Sequence, residues 1–108
     1  MEITNATRIL AAIAHDGRLV LVRHLIQAGA EGVSAGDLAR FAEIGPTTAS
    51  AQLLVLANAG LVRSVRDGRS IRYFANYDRM RDLLSFLMLD CCGGKADICE
   101  PVAKACCA

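Results

Sequence analysis

The 108-residue chain has no cysteine before residue 91, no histidine after residue 24 and no charged side chain between residues 46 and 60. No apolar run approaches the ~20 residues that cross a bilayer, which argues against a membrane span. The first residues, Met1 to Asn5, lack the basic segment and cleavage site of a signal peptide, so we expect a cytoplasmic protein with reduced thiols. The sequence also lacks a Ser-His-Asp set, paired carboxylates in an apolar cleft and a glycine-rich phosphate loop, and we therefore expect no enzymatic activity.

Cysteines are confined to the last 18 residues, where they stand at Cys91, Cys92, Cys99, Cys106 and Cys107. Core cysteines are scattered one to a site, whereas these thiols cluster in a polar segment that contains Gly93-Gly94 and Pro101. Thiolate clusters without histidine suit soft ions, and the same thiols suit redox chemistry. Structural disulfides fit less well, because the cysteine count is odd and adjacent cysteines are poorly placed to stabilise a fold through disulfides.

The composition predicts one domain that associates with itself. Hydrophobic residues make up 54% of the chain, a large share for its length. We expect a folded domain over residues 1–90 and a cysteine-rich tail over residues 91–108. The surplus apolar surface then predicts contact with a second copy of the chain.

Apolar residues at helical spacing predict five helices, over residues 3–14, 18–28, 34–42, 46–58 and 77–90. Asp16 is expected to cap the second helix, and Ser34 the third. Leu38 and Phe41 are expected to face inward from the third helix. Pro46 suits the first turn of the fourth, where a missing N–H costs nothing. His15 and His24 are expected to be structural or exposed.

The last predicted helix is apolar on more than one side. Its stripe consists of Met80, Leu83, Leu84, Leu87 and Met88, widened by Phe86 and Leu89. Such a helix needs two partners, its own domain and another protomer. The first helix, with Ile9, Leu10 and Ile13, is expected to share that dimer interface.

Two strand-like runs, residues 61–66 and 69–74, flank Asp67-Gly68, a strong hairpin signal. A turn at Asp67-Gly68 would place Arg66 opposite Arg69 and Arg63 opposite Arg72. Like charges directly opposite one another destabilise a ladder, so the pattern favours an anion beside the hairpin. Residues 61–81 hold six arginines against two aspartates, a local excess of four positive charges.

The element order predicts a mainly helical fold with one β-hairpin, a dimeric winged helix-turn-helix. The second helix of that motif enters the major groove with its N-terminal residues, which here are Thr47, Thr48, Ser50, Ala51 and Gln52. Gln52 suits a bidentate pair with adenine, and a threonine methyl suits thymine. Backbone phosphates are expected to meet the hairpin arginines, Arg63, Arg66, Arg69 and Arg72. Double-stranded operator DNA is therefore the expected partner.

The chain resembles the ArsR/SmtB family of metal-sensing repressors over about residues 8–92. The resemblance is most specific at Ser-x-x-Leu-x-x-Leu-x-x-Ala-Gly-Leu-Val, residues 50–62, followed by the arginine-rich hairpin, and residues 12–19 resemble the family's entry into its second helix. It implies a homodimer built on the first and last helices, and repression relieved by a metal or metalloid. Family members often carry basic or histidine side chains in the recognition helix, which residues 46–60 lack. Specificity would then depend on hydroxyls, Gln52 and DNA shape.

Within the family, the sequence Cys91-Cys92-Gly93-Gly94 with Cys99 resembles the arsenite-sensing subgroup. That resemblance implies that Cys91, Cys92 and Cys99 bind trivalent arsenic as three thiolates, with antimony as an equivalent inducer. Zinc and cadmium remain alternative ions for this site, since zinc prefers four ligands and the possible auxiliary pair, Cys106 and Cys107, could supply the fourth. The family's Cys-x-Cys site at the third helix and its histidine site on the last helix have no counterpart here.

Two other functions stay open on the sequence. A repressor of the same fold could sense peroxide or persulfide through the same thiols. A thiol-rich metal carrier without an operator would explain the tail but not the helix-turn-helix pattern or the arginine hairpin.

Overall fold

The computed structural model describes residues 1–88, which form five α-helices, one short 3-10 turn and three strands. The helices are α1 (Ile3–Ile13), α2 (Asp16–Ala28), α3 (Ala35–Ala42), α4 (Pro46–Asn58) and α5 (Tyr77–Leu87). The strands are β1 (Val33–Ser34), β2 (Val62–Asp67) and β3 (Ser70–Ala75), and the 3-10 turn is Gly29–Glu31. The predicted mainly helical winged helix-turn-helix is confirmed, with α3 and α4 as the motif and β2–β3 as the wing. The predicted boundary between residues 90 and 91 lies outside the described residues.

The N-cap of helix α2 lies one residue earlier than the sequence predicted. His15 is the N-cap, and its Nδ1 accepts hydrogen bonds from the backbone N–H groups of Gly17 and Arg18. The predicted cap, Asp16, is instead the first helical residue. His15 can take this role because its backbone is extended and its ring nitrogen satisfies donors that the first helical turn leaves without partners. Ser34 caps α3 as predicted, accepting from the N–H of Asp37.

Phe41 does not face inward from α3, contrary to the expectation. Its side chain is 53% exposed, whereas Leu38 is fully buried. The buried arc of α3 is centred between Leu38 and Ala39, and Phe41 lies about a quarter-turn or more from that centre. The Phe41 ring stacks on His24 of α2, with the ring centroids 3.7 Å apart.

The sheet is antiparallel, in the order β1-β3-β2. Its hairpin turns at Gly68-Arg69, one residue later than predicted, because Gly68 adopts the positive φ of 63° that the first turn position of a two-residue loop requires. The shift by one residue pairs Arg63 with Phe74 and Arg66 with Ile71. The predicted arginine-on-arginine register is therefore wrong.

One apolar core joins the helices to the sheet. Its largest fully buried members are Ile9, Leu21, Leu25, Leu38, Leu53, Leu56 and Leu61. The hairpin enters the core at its base, where Val62 and Ala75 pair and are buried, and Tyr73 packs against the core beside them. Asn76 joins this base to α5, because it caps the helix and donates to the carbonyl of Gly60. No helix within residues 1–88 has the length and apolar character needed to cross a membrane.

Candidate nucleic-acid interface

The N-terminal end of α4 projects hydrogen-bond donors from the surface. Gly45 occupies the N-cap position without a side-chain cap, and Pro46 follows at the first helical position. Thr47 and Thr48, the next two residues, are exposed. Since the first turn of a helix leaves N–H groups without helical partners and carries the positive end of the dipole, this tip suits an anionic or hydrogen-bond-accepting surface.

The exposed side of α4 continues from this tip along the helix. Thr47, Ser50 and Ala51 are exposed as the DNA-reading prediction requires, while Leu53 and Leu56 on the opposite side are buried. Leu54 lies in line with Thr47 and Ser50 and is 61% exposed. Its spacing of seven from Thr47 places it on the outer side of the helix, although its side chain is apolar. A leucine here can contact thymine methyl groups.

Gln52 is directed into the protein in this structure. It is partly buried, and its Oε1 accepts a hydrogen bond of 2.9 Å from Nη1 of Arg18 on α2. A bidentate pair with adenine needs both the oxygen and the nitrogen of the carboxamide. The geometry observed here is therefore not that of the predicted adenine reader, and its cause is position, since Gln52 stands at the edge of the buried side of α4.

The wing carries the predicted arginines on different surfaces. Arg63 and Arg72 lie on one side of the hairpin, Arg66 lies on the other, and Arg69 is in the turn. Arg63, Arg66 and Arg69 are exposed. Within residues 1–88, no carboxylate lies within ion-pair distance of these three arginines. Three guanidinium groups without a counter-ion among residues 1–88 give the hairpin its positive charge.

Arg72 differs from the other wing arginines. It is partly buried, and its Nη1 donates to the carbonyl oxygens of Glu31 at 3.0 Å and Gly32 at 3.3 Å. These bonds connect β3 to the 3-10 turn that precedes β1. Arg72 thus has a structural task in addition to any contact with phosphate that its remaining N–H groups make.

Helix α3 contributes little free charge to the surface. Arg40 pairs with Asp37 one turn earlier on the helix, and both side chains are well exposed. The hydrogen bond from Arg40, with help from Ser34, holds the pKa of the Asp37 carboxyl below its usual value. Because this ion pair is exposed, we expect it to contribute little to stability.

The predicted metal ligands, Cys91, Cys92 and Cys99, and the auxiliary Cys106 and Cys107 lie outside the described residues. Within residues 1–88, no group of three or more histidine, cysteine or acidic side chains is arranged to hold a metal ion. Both histidines have structural tasks, as expected, since His15 caps α2 and His24 stacks on Phe41.

Helices α1 and α5 leave apolar side chains uncovered on the protomer. Leu84 and Leu87 of α5 are 46% and 50% exposed, and Ile3 and Leu10 of α1 are also exposed. Leu83, a neighbour of both leucines in the same apolar stripe, is buried in the core. In its described part, α5 therefore has a stripe with one buried and one exposed edge.

A family model described as a helix-turn-helix domain matches residues 13–65 of the chain. Among curated proteins, the transcriptional regulator YgaV of Escherichia coli K12 is 29% identical over 82 residues, which are 76% of this chain and 81% of YgaV.

Solved structures show similarity over the same region. An ArsR-like transcriptional regulator from Rhodococcus sp. RHA1 has a TM-score of 0.68 and 27% identity, covering 78% of this chain and 76% of that one. The homodimeric winged helix-turn-helix domain of Mb0332 from Mycobacterium bovis, a possible ArsR-family regulator, has a TM-score of 0.66 and 27% identity, covering 82% of each chain. The antimony-specific transcriptional repressor AntR is 32% identical with a TM-score of 0.59, covering 75% of this chain and 72% of AntR.

Proposed function

Because the chain belongs to the ArsR-like family of winged helix-turn-helix transcriptional regulators, we propose that it is a homodimeric repressor that releases its operator when trivalent arsenic or antimony binds Cys91, Cys92 and Cys99. The observation that carries the proposal is the position of the cysteines in the sequence. They begin four residues beyond Leu87, the last residue of α5, and the chain has none before that point.

DNA would be bound by two surfaces with different tasks. The exposed side of α4, from Thr47 to Leu54, would read the major groove through hydroxyls and methyl groups. The wing arginines would neutralise phosphates and so supply affinity without sequence information. Support for this division comes from the absence of charged side chains in residues 46–60 and from the hairpin guanidinium groups, which have no ion-pair partner in the described part of the chain.

Dimerisation would bury the apolar side chains that α1 and α5 expose. Leu84 and Leu87 lie one turn apart on α5, and Leu10 lies on α1. The homodimeric Mycobacterium bovis domain supports this assembly, since it has the same fold. A dimer would present two copies of α4 to two half-sites separated by about 34 Å, one turn of DNA.

Induction would act through the end of the dimer helix. Trivalent arsenic and antimony bind three thiolates in a pyramid, and soft thiolate ligands favour such ions. Cys91 and Cys92 come within five residues of the end of α5 in sequence, so an ion shared with Cys99 would act close to a helix that would also hold the dimer. The similarity to an antimony-specific repressor supports a metalloid as the inducer.

The test uses the full-length protein and a duplex that it selects from a random-sequence DNA pool. Fluorescence anisotropy then measures its affinity in the presence of arsenite, antimonite, zinc or a persulfide donor. We expect arsenite and antimonite to weaken binding by about tenfold or more, the size of a typical allosteric coupling. Release by persulfide but not by arsenite would instead identify a thiol-sensing repressor. A protein that binds arsenite and selects no DNA would be a carrier.

A further inference from the structure

Arg18 joins three helices that have different tasks. Its backbone lies in the first turn of α2, its Nε donates to the carbonyl of Ala12 in the last turn of α1 at 2.5 Å, and its Nη1 donates to Oε1 of Gln52 on α4 at 2.9 Å. Both bonds are partly buried. One planar guanidinium therefore connects the end of α1 to α4.

The hydrogen bond to Ala12 places the Arg18 cation at the C-terminal end of α1, where a positive charge is favourable. The last turn of a helix has carbonyl groups without helical partners and carries the negative end of the dipole. Leu10 accepts from the N–H of Ala14, and Ala12 accepts from Arg18. No carboxylate within residues 1–88 lies within ion-pair distance of Arg18. Its charge is therefore compensated by the end of α1 and by the oxygen of Gln52.

The hydrogen bond from Arg18 to Gln52 differs in kind from the apolar packing of α4. The buried side chains of this helix, Ala49, Leu53 and Leu56, are all apolar. Among the side-chain hydrogen bonds of residues 1–88, the one from Arg18 alone connects an α4 side chain to another element. Apolar packing is not directional, whereas a bond to a planar guanidinium fixes both a distance and an angle.

We propose that Arg18 is a positioning residue that holds α4 against the end of α1, and so sets the separation of the two α4 helices in the dimer. The inference rests on the proposed dimer, in which α1 forms part of the interface. In this arrangement Gln52 acts on DNA indirectly, by orienting the residues Thr47 to Ala51, and Arg18 acts through Gln52. A dimer without the connection would accept DNA with half-sites at other separations.

The experiment compares two duplexes without any metalloid, so that it does not depend on the identity of the inducer. One is selected by the wild-type protein from a random pool, and the other has one base pair inserted between its half-sites. The variants are Arg18→Met, Gln52→Met and the double variant. Gln52→Glu keeps the acceptor, and Arg23→Met and Gln27→Met change exposed residues of the same types elsewhere on α2.

We expect the wild-type protein and the two α2 controls to prefer the selected spacing. Arg18→Met and Gln52→Met should each reduce that preference about tenfold, and the double variant no further, since contacting residues couple by amounts of this order. Gln52→Glu should retain the preference. The slope of log K against log salt should be the same for Arg18→Met as for the wild-type protein, because Arg18 is not assigned a phosphate contact.

Several results would overturn the inference. Additive losses would mean that Arg18 and Gln52 act separately, and a lower salt slope for Arg18→Met would mean that it binds phosphate. Lower melting temperatures with an unchanged spacing preference would leave Arg18 a stabilising residue only. Selected DNA that contains a single half-site would reject the dimeric function, and the positioning role with it.

Discussion

Arg63 and Phe74 face each other across the wing, and the guanidinium carbon of Arg63 lies 4.4 Å from the centroid of the Phe74 ring. The ring supports one side of the cation and leaves its edge available to solvent. A cation held over an aromatic ring loses less freedom when it binds an anion than a free side chain does. The hairpin thus presents one arginine held over a ring and two, Arg66 and Arg69, whose side chains make no hydrogen bond or ion pair with residues 1–88.

Replacing Arg63, Arg66 or Arg69 with alanine should weaken binding to selected and random DNA alike. Each lost phosphate contact should lower the slope of log K against log salt by about 0.9. Arg72→Ala should in addition lower the melting temperature, because the carbonyls of Glu31 and Gly32 lose their donor. Titrations at several salt concentrations, with thermal melting of each variant, separate these effects. A variant that loses only selected DNA would show that its arginine reads bases.

Leu87→Glu should convert the protein to monomers that bind DNA poorly, because a charge would enter the proposed interface and both half-sites must be engaged at once. Leu19→Glu is the matched control, since Leu19 is a similarly exposed leucine on α2. Sedimentation velocity measures the assembly state. A stable Leu87→Glu dimer would place the interface elsewhere on the protein.

Serine in place of Cys91, Cys92 or Cys99 should give a repressor that binds DNA as tightly as the wild-type protein but stays bound in arsenite. Each substitution removes one of the three thiolates in the proposed site. The Cys106→Ser/Cys107→Ser double variant should remain inducible and serves as the control. Anisotropy titration of all four proteins against arsenite tests the site. Loss of induction in the double variant with retention in Cys99→Ser would identify the distal pair as the sensor.

His15→Ala should lower the free energy of unfolding by about 1 kcal/mol, the usual cost of removing an N-cap. Two N–H groups, those of Gly17 and Arg18, lose their acceptor in this variant. His15→Asn should retain most of the stability, since asparagine is a strong N-cap. Chemical denaturation of both variants measures the difference. Equal losses in both would show that the ring itself, rather than its acceptor nitrogen, stabilises the helix start.

Gly32→Ala should cost at least about 3 kcal/mol of stability, because it combines backbone strain with a steric clash. Gly32 has a φ of 66°, and an added Cβ would lie 2.5 Å from the carbonyl oxygen of Tyr73. Gly29 has a similar φ of 71° with open space around it. Gly29→Ala should therefore show the strain alone, about 1–3 kcal/mol. Similar losses in the two variants would mean that the strand accommodates the new methyl group.

Local signals in the sequence were sufficient to predict the order of the five helices and the hairpin, but not the 3-10 turn or the short strand β1. The cap at Ser34 and the proline at the start of α4 act within a few residues, so their effect can be predicted without the rest of the chain. The Asp67-Gly68 pair located the hairpin but not its register. Register depends on which residue takes the positive φ, and that differs by one position between two turns of the same length.

Contacts between distant elements could not be predicted in this way. Gln52 and Arg18 are 34 residues apart, and only the packing of α4 on α2 brings them together. Phe41 was expected to be buried because its side chain is hydrophobic, but it does not lie on the buried side of α3. For Phe41, helical phase was a better guide to burial than the polarity of the side chain.

The separation of charge from the reading helix has a kinetic consequence. On DNA of arbitrary sequence, attraction would act mainly at the hairpin, because residues 46–60 carry no charged side chain and would offer the phosphates only the dipole at the start of α4. Such a protein is expected to slide with its wing engaged, and α4 would stop it only where the groove fits. Ionic strength should then mainly govern the rate at which the protein finds its target. The fit of α4 in the groove should govern how long the protein stays bound there.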